Sequence, residues 1–501
     1  MMYWMPLRVV VVAPLAGSNA ARGATLRRVS KETVDDAMRA IAPRVAVSAP
    51  RIPSPDAFAA GAPAPGPATE ITLEFAALAD FKPRRIIERV PALAALLAAR
   101  DSDRAHASEI DRALSGALDA ILHHPAFLAL ESAWRGVDFL VKRGNAGEGS
   151  EAVFLVDLFA SGGADEAERY RAQVFDPDYE DRSDVPLAAV LADADFDHQA
   201  ASIEALTRYG QLAKALQSPF IAGSGASLFG LKHLAHLPAL PDLATRTTGG
   251  PHAAWSALLR EEFARWLSLT TNRFLLRSLY GDGEDAASSS AFHYTERVDA
   301  AHPEWIPWGR AVWTVGVSLA ASFAEHGHCA ACDGLTGKGA HYGLATRAVQ
   351  QTANRASQLA TEILIDDSKA WDLVRLGVTP LIGKADGDVA YFPFVGNIYR
   401  VVMGSVTIDQ TLSYSLYLGQ LSHYVLRLLP SLPAGSPAER AAWLEAQIFG
   451  GFSPFVGDAP GERVKVVAQE AEGGAAVANI QVAPTFKLQE KAFSLEMGVA
   501  I

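Results

Sequence analysis

The side chains best suited to chemistry crowd one short stretch: His326, His328, Cys329 and Cys332, all within seven residues. Cys-x-x-Cys beside two histidines has the spacing of a zinc site or a thiol-redox pair. Structural zinc sites, however, draw their ligand pairs from separate segments, so that a tetrahedron closes without backbone strain. Two small buried side chains near a strand end are the preferred reading here. Asp193, Asp195 and Asp197 match the first three ligands of an EF-hand loop, and Glu204 falls at its twelfth position. The sixth position, where the sharp turn requires Gly, holds His198, and the segment follows a strand pattern rather than a helix. A capped strand-to-helix turn is expected, although α/β enzymes do place ligands at the ends of strands. Gly334–Gly339 (GLTGKG) lacks both the leading Gly and the Ser or Thr after Lys338 that a phosphate loop needs. Gly223–Gly230 (GSGASLFG) has Phe229 where a serine-hydrolase elbow has Gly. Both read as turns. His123–His124 precedes Pro125 with no local carboxylate or thiol to complete a ligand set, so it reads as a helix stop. Trp134–Arg135–Gly136 has the composition of a binding hot spot.

The elements that position these residues follow from periodicity. Val9–Val12 read as a buried strand, although Met1–Gly17 superficially resembles a short signal peptide with Arg8 as its lone charge and Pro14 interrupting it. Ser30–Ile41 carries Val34, Ala37, Met38 and Ile41 at helical spacing and stops at Pro43. Pro53–Thr69 is a Pro, Ala and Gly-rich loop. Ile71, Leu73 and Phe75 alternate as a strand, and Pro83 opens a helix carrying Ile86, Ile87, Val90, Leu93 and Leu97. Asp101–Ser108 is a polar bridge. Helical stripes follow at Ile110–Ile121 and at Phe127, Leu130, Trp134, Val137 and Val141; Trp134 thus faces a core, with Arg135 off the stripe toward a partner or a carboxylate. Strands at Ala152–Leu158 and Pro186–Leu191 alternate with helices such as Ser202–Leu216, which indicates an α/β body. Val464–Gln469 and Ala476–Val482 flank Glu472–Gly473–Gly474 as a hairpin, giving a β-rich end. No internal repeat of solenoid length is present.

With 501 residues, half of them hydrophobic and a fifth charged, the chain has material for two or more cores. Its 44 Lys and Arg against 56 Asp and Glu give a net charge of −12, which argues against a broad surface for nucleic acid or anionic lipid. No run of about 18 apolar residues supports membrane insertion. Two cysteines fit a reducing compartment, so a cytoplasmic location is expected.

His123–Val141 (HHPAFLALESAWRGVDFLV) resembles the signature of the large sheath subunit of bacterial type VI secretion. Further motifs of that family follow in order: Asp195–His198 (DFDH), Ser218–Gly230 (SPFIAGSGASLFG), Arg273–Gly281 (RFLLRSLYG), Trp308–Gly309, Thr361–Asp366 (TEILID) and a closing strand, Ala483–Leu495 (APTFKLQEKAFSL). Val9–Ser18, Asp36–Arg44 (DAMRAIAPR) and Asp80–Arg100 resemble the small sheath subunit instead. Two partners that normally meet as separate chains are joined here, which fixes their ratio at one to one.

The resemblance implies a mixed multi-domain sheath-protomer fold of α+β and α/β type: residues 1–100 like the small subunit, 101–108 a bridge, and 109–501 like the large subunit with its β-rich end. It implies no enzymatic activity, no catalytic residue, no cofactor and no metal. The implied partners are further copies of the chain in a helical homopolymer, an inner tube protein and baseplate components. Between residues 100 and 109 there is no room for the arm by which the family meets an AAA+ disassembly ATPase. The expected assembly residues are Val9, Val10, Val11 and Val12 as an N-terminal edge strand, Trp134, Arg135 and Gly136, and Phe486 and Leu488 of the closing motif. A non-polymerising baseplate or adaptor part, and an enzyme using the Cys329–Cys332 or Asp193–Asp197 cluster, are the alternatives.

Overall fold

The computed structural model describes residues 5–19, 25–59, 67–102, 105–149, 151–163, 165–180, 183–247, 249–281, 292–299, 302–352, 355–400, 406–458, 461–470 and 476–501. The first hundred residues form β1 (Leu7–Ala13), β2 (Arg27–Val29) and an antiparallel pair, β3 (Arg44–Ala49) with β4 (Thr69–Glu74). Next come β5 (Phe154–Ala160), β6 (Leu187–Phe196), β7 (Phe220–Ser224) and β8 (Leu267–Thr271). Short strands follow: β9 (Arg273–Leu275), β10 (Trp308–Arg310), β11 (Ala340–His341), β12 (Arg347–Thr352), β13 (Arg355–Leu359), β14 (Val378–Pro380), β15 (Ile382–Gly383) and β16 (Ala390–Tyr391). The chain closes with β17 (Val464–Glu470), β18 (Ala476–Val482) and β19 (Leu495–Ala500).

The central sheet has seven strands in the order β14-β8-β7-β6-β1-β5-β2, all parallel except β2. β1 lies inside it, not at an edge, with Val9 beside Val156 of β5 on one side and Ala189 of β6 on the other. This corrects the expectation that Val9, Val10, Val11 and Val12 form an edge strand for neighbours to join. A run of valines with no polar alternation suits a strand covered on both faces, and every residue of β1 is buried. Val9 and Val11 point into one core and Val10 and Val12 into the other, as the two-residue period of a strand dictates. Arg8 donates through Nε to Asp157 of β5 at 2.8 Å and through Nη1 to Asp178, so the charge at the head of β1 is matched inside the sheet.

The core on the Val9 face gathers the helices Val34–Ile41, Ala107–Leu122, Pro125–Arg143 and Val312–His326 together with the β3–β4 pair. The opposite face is covered by Ala200–Leu216 and the segments that flank it. A third core joins the helices Leu412–Leu428 and Pro437–Val456 to β17, β18 and β19. No single described helix is long and apolar enough to cross a membrane.

Several boundaries differ from the periodic pattern for identifiable reasons. The first helix starts at Val34 rather than Ser30, because Thr33 Oγ1 accepts the Ser30 backbone N–H and holds residues 30–33 as a turn. The helix opened by Pro83 ends at Arg89, since Val90 takes an extended conformation ahead of Pro91, and a second helix runs Pro91–Ser102. The closing motif Ala483–Leu495 is not a strand: Gln489 and Glu490 have positive φ of 49° and 61°, and Leu488 and Lys491 exchange backbone hydrogen bonds across that turn. β19 begins where the motif ends. The expected loop residues 60–66 and the hairpin tip Glu472–Gly474 lie outside the described residues.

Candidate assembly site

Trp134, Arg135 and Gly136 sit on the helix Pro125–Arg143, where the two parts of the chain meet. Trp134 is fully buried, as its place on the apolar stripe predicts, and its indole Nε1 donates to the Leu15 carbonyl just after β1 at 2.9 Å. Gly136 lies against Trp313, and a Cβ there would stand 2.2 Å from the indole ring. Glycine is what lets the helices Pro125–Arg143 and Val312–His326 approach. Arg135 points off the stripe to a carboxylate, with Nε 2.8 Å from Glu131 Oε1.

Glu131 opens a network of buried charge. Arg277 donates through Nε to Glu131 Oε1 at 2.8 Å and through Nη1 to Glu296 Oε2 at 2.7 Å. Tyr280 gives its backbone N–H to Glu296 Oε2 and its hydroxyl to the Phe81 carbonyl, which brings the first hundred residues into the same cluster. His123 stacks on Trp305 and brings Nε2 to 3.7 Å from Glu296 Oε1. Burial alone would raise the Glu131 pKa, but the charges of Arg277 and Arg135 outweigh it and hold the carboxyl below its usual range. Glu296 is likewise held down, to about 2, against burial by the nearby His123 ring and by its bonds to Arg277. Two carboxylates thus face two guanidiniums, a balanced buried cluster.

The motifs distant in sequence are wired together. Glu131 of the first meets Arg277 of the fourth; Arg273 of the fourth grips Glu362 of the TEILID motif at 2.6 and 2.8 Å. Arg310, just after Trp308–Gly309, reaches Asp193 at 3.0 Å and Asp195 of the DFDH motif at 2.9 Å. Gly223 packs on that same Asp195, with a Cβ position 2.3 Å from its Oδ1. Sequence reasoning missed Glu296 and Arg310 as partners, since a lone charge carries no sign of which opposite charge it will meet.

In the closing segment, Phe486 stacks on His328 at 3.8 Å between centroids and meets Tyr417 edge-on at 5.1 Å. Leu488 is buried beside the turn whose Gln489 amide donates to Asp333 Oδ2. Both anchor the closing segment to the body of the fold. β17 and β19 each pair only with β18 among the described residues. Glu445 accepts the outward N–H of Val466 at 2.8 Å and so covers part of the β17 edge. Ile501 N–H faces β18, so by alternation the N–H groups of Glu496, Gly498 and Ala500 face outward.

The chemical candidates are placed in structural roles. Cys329 and Cys332 are free, buried thiols; burial raises both pKa values, that of Cys332 to about 12, so neither offers a thiolate. His328 is packed against Phe486, with its pKa lowered to about 4 by burial. No group of three or more His, Cys, Asp or Glu among the described residues is arranged to hold a metal ion. Asp193 and Asp195 are engaged by Arg310, and Asp197 accepts the Gln199 N–H at the start of the next helix. His124 caps its helix by accepting the Ala126 N–H.

Two family models match the chain. Residues 2–130 match the model described as type VI secretion system, VipA, VC_A0107 or Hcp2. Residues 104–397 match the EvpB/VC_A0108 tail sheath N-terminal domain. A curated relative, the type VI secretion system sheath protein TssC1 of Pseudomonas aeruginosa, is 27% identical over 352 residues, covering 65% of this chain and 70% of its own. Among solved structures, the anti-feeding prophage baseplate has a chain 10% identical, with 74% of this chain and 77% of that one covered and a TM-score of 0.39. The sheath tail protein of Desulfitobacterium hafniense is 8% identical, with 71% and 66% covered and a TM-score of 0.35. Since the sheath domain model spans more than half of the 501 residues, the chain belongs to the EvpB/VC_A0108 tail sheath family and is a structural component of a type VI secretion contractile sheath.

Proposed function

We propose that the chain is the repeating protomer of a helical homopolymer that encloses an inner tube protein in an extended state and drives it outward on contraction to a lower-energy packing. In this reading residues 1–100 serve as the small subunit, 101–108 as the bridge and 109–501 as the large subunit, while the two family matches, 2–130 and 104–397, overlap across that bridge. The work is done by interfaces between protomers, with baseplate components at one end and no bond chemistry. A cytoplasmic setting fits two free, buried cysteines. Recycling by an AAA+ ATPase is not part of the proposal, because 101–108 leaves no room for the recognition arm.

The observation that carries the proposal is the outer edge of β19, a row of backbone donors and acceptors with no partner strand among the described residues. Such an edge is completed by a strand from a neighbour. Negative-stain electron microscopy of the full chain, with and without the inner tube protein, tests it. Tubes are expected when the partner is present. A stable small oligomer in size-exclusion chromatography under the same conditions would favour the adaptor reading instead.

A further inference from the structure

Outside the carboxyl ends of β6, β7 and β8 lies a cleft of about 350 Å3, lined by Asp195, Ser224, Arg273, Arg310, Glu362 and Lys232 among others. Open α/β sheets bind ligands at this edge, and the volume is within the range of small-molecule pockets. Its carboxylates are already engaged: Glu362 by Arg273, Asp195 by Arg310, and Glu304 by His302. The guanidiniums are not exhausted by those pairs. Arg273 uses Nε and Nη2 on Glu362, and Arg310 uses Nη1 on Asp193, with its Nε 2.9 Å from Asp195 Oδ1 as an ion pair. Arg273 Nη1 and Arg310 Nη2 therefore keep N–H groups with no protein acceptor among the described residues, and both side chains retain about a third of their surface, 33% and 28%. Lys232 stands exposed at the rim with no ion-pair partner among the described residues.

We propose that this cleft binds a phosphate group, carried by a small phosphorylated molecule, on Arg273 Nη1, Arg310 Nη2 and Lys232. Three donors arriving from β9, from the end of β10 and from the rim after β7 suit an anion with three or more terminal oxygens better than a planar carboxylate, which two donors satisfy. The arginines are held in place by their carboxylates, so the cleft is organised before a ligand arrives. Walls drawn from strands of the central sheet and from the 303–310 segment tie occupancy to the packing of the whole sheet.

Isothermal titration calorimetry of the full chain with inorganic phosphate tests the assignment, with acetate as the carboxylate comparison. Saturable phosphate binding is expected, about tenfold weaker in Lys232→Ala, as the loss of one charge-assisted contact dictates. Lys232 is exposed, so its removal is expected to leave the fold intact. Lys384→Ala, an exposed lysine away from the cleft, should bind like the parent. Acetate should give no saturable heat. Absence of phosphate binding, equal affinity in the parent and Lys232→Ala, an equal loss in Lys384→Ala, or acetate binding as well as phosphate would each overturn the proposal.

Discussion

Glu131 is wholly buried and keeps its charge only because Arg135 and Arg277 lie against it. Removing one member of such a cluster strands a charge away from water, which costs more than the intact cluster contributes. Arg277→Met should therefore destabilise the protein by about 3–5 kcal/mol, read as a fall in the thermal or denaturant midpoint. Little of this was legible in the sequence. The helical stripe placed Trp134 in the core and Arg135 off it, and both positions hold. Glu296 and Arg310 carried no comparable signal, because an ion pair between residues 146 apart, such as Arg277 and Glu131, leaves no local period. The network also fixes an acid response. Glu131 and Glu296 have folded pKa values below the ordinary 4.5, so their stabilisation is complete above that pH and is lost as pH falls through the folded values, about 2 for Glu296. Denaturant midpoints measured from pH 5 downward should drop for the parent. The drop should be shallower in a Glu296→Gln variant, whose starting stability is already lower.

Elements show which strands hold the protomer together and which are free to join a neighbour. β1 is central, and burying four valines contributes roughly 1.5–3 kcal/mol each, comparable with the whole stability of a domain. Deleting Val9–Val12 would therefore unfold the protomer rather than only unlink it, so loss of tubes from that deletion says nothing about assembly. Truncation after Gln469 has the same defect, since Ala478, Ile480 and Val482 of β18 are buried in the third core. The informative change lies on the outer edge of β19. Gly498→Pro removes an outward N–H and leaves the ladder to β18 intact, and proline is tolerated on an edge in that orientation. Tube formation should be lost in micrographs while the monomer melts within about 1 kcal/mol of the parent. Alternating hydrophobicity made β17 and β18 legible in the sequence. It did not separate the closing motif from β19, because the positive φ at Gln489 and Glu490 falls on residues that no rule marks as turn formers.

At the scale of the molecule, the two sheath-like parts share a sheet and a core. β1 and β2 come from the first part; β5 and β6, which embrace β1, come from the second. The core on the Val9 face likewise mixes Leu93 and Leu96 with Leu140 and Trp313. The core on the Val9 face cannot close from either part alone. The covalent bridge therefore adds little to the interface itself and acts through effective concentration, which is of millimolar order for a short linker. Arg100 reaches across the bridge to Asp111 at 2.8 Å, so the connection is short and held at both ends. Cutting the chain at 103–104 and expressing the halves separately should give two products without a cooperative melt. Expressed together, they should co-purify one to one, and their melting temperature should rise with protein concentration, as mass action requires of a two-chain fold. A cooperative melt from the isolated residues 105–501 would show instead that the sheet closes without β1, and that the first part docks on a body already folded.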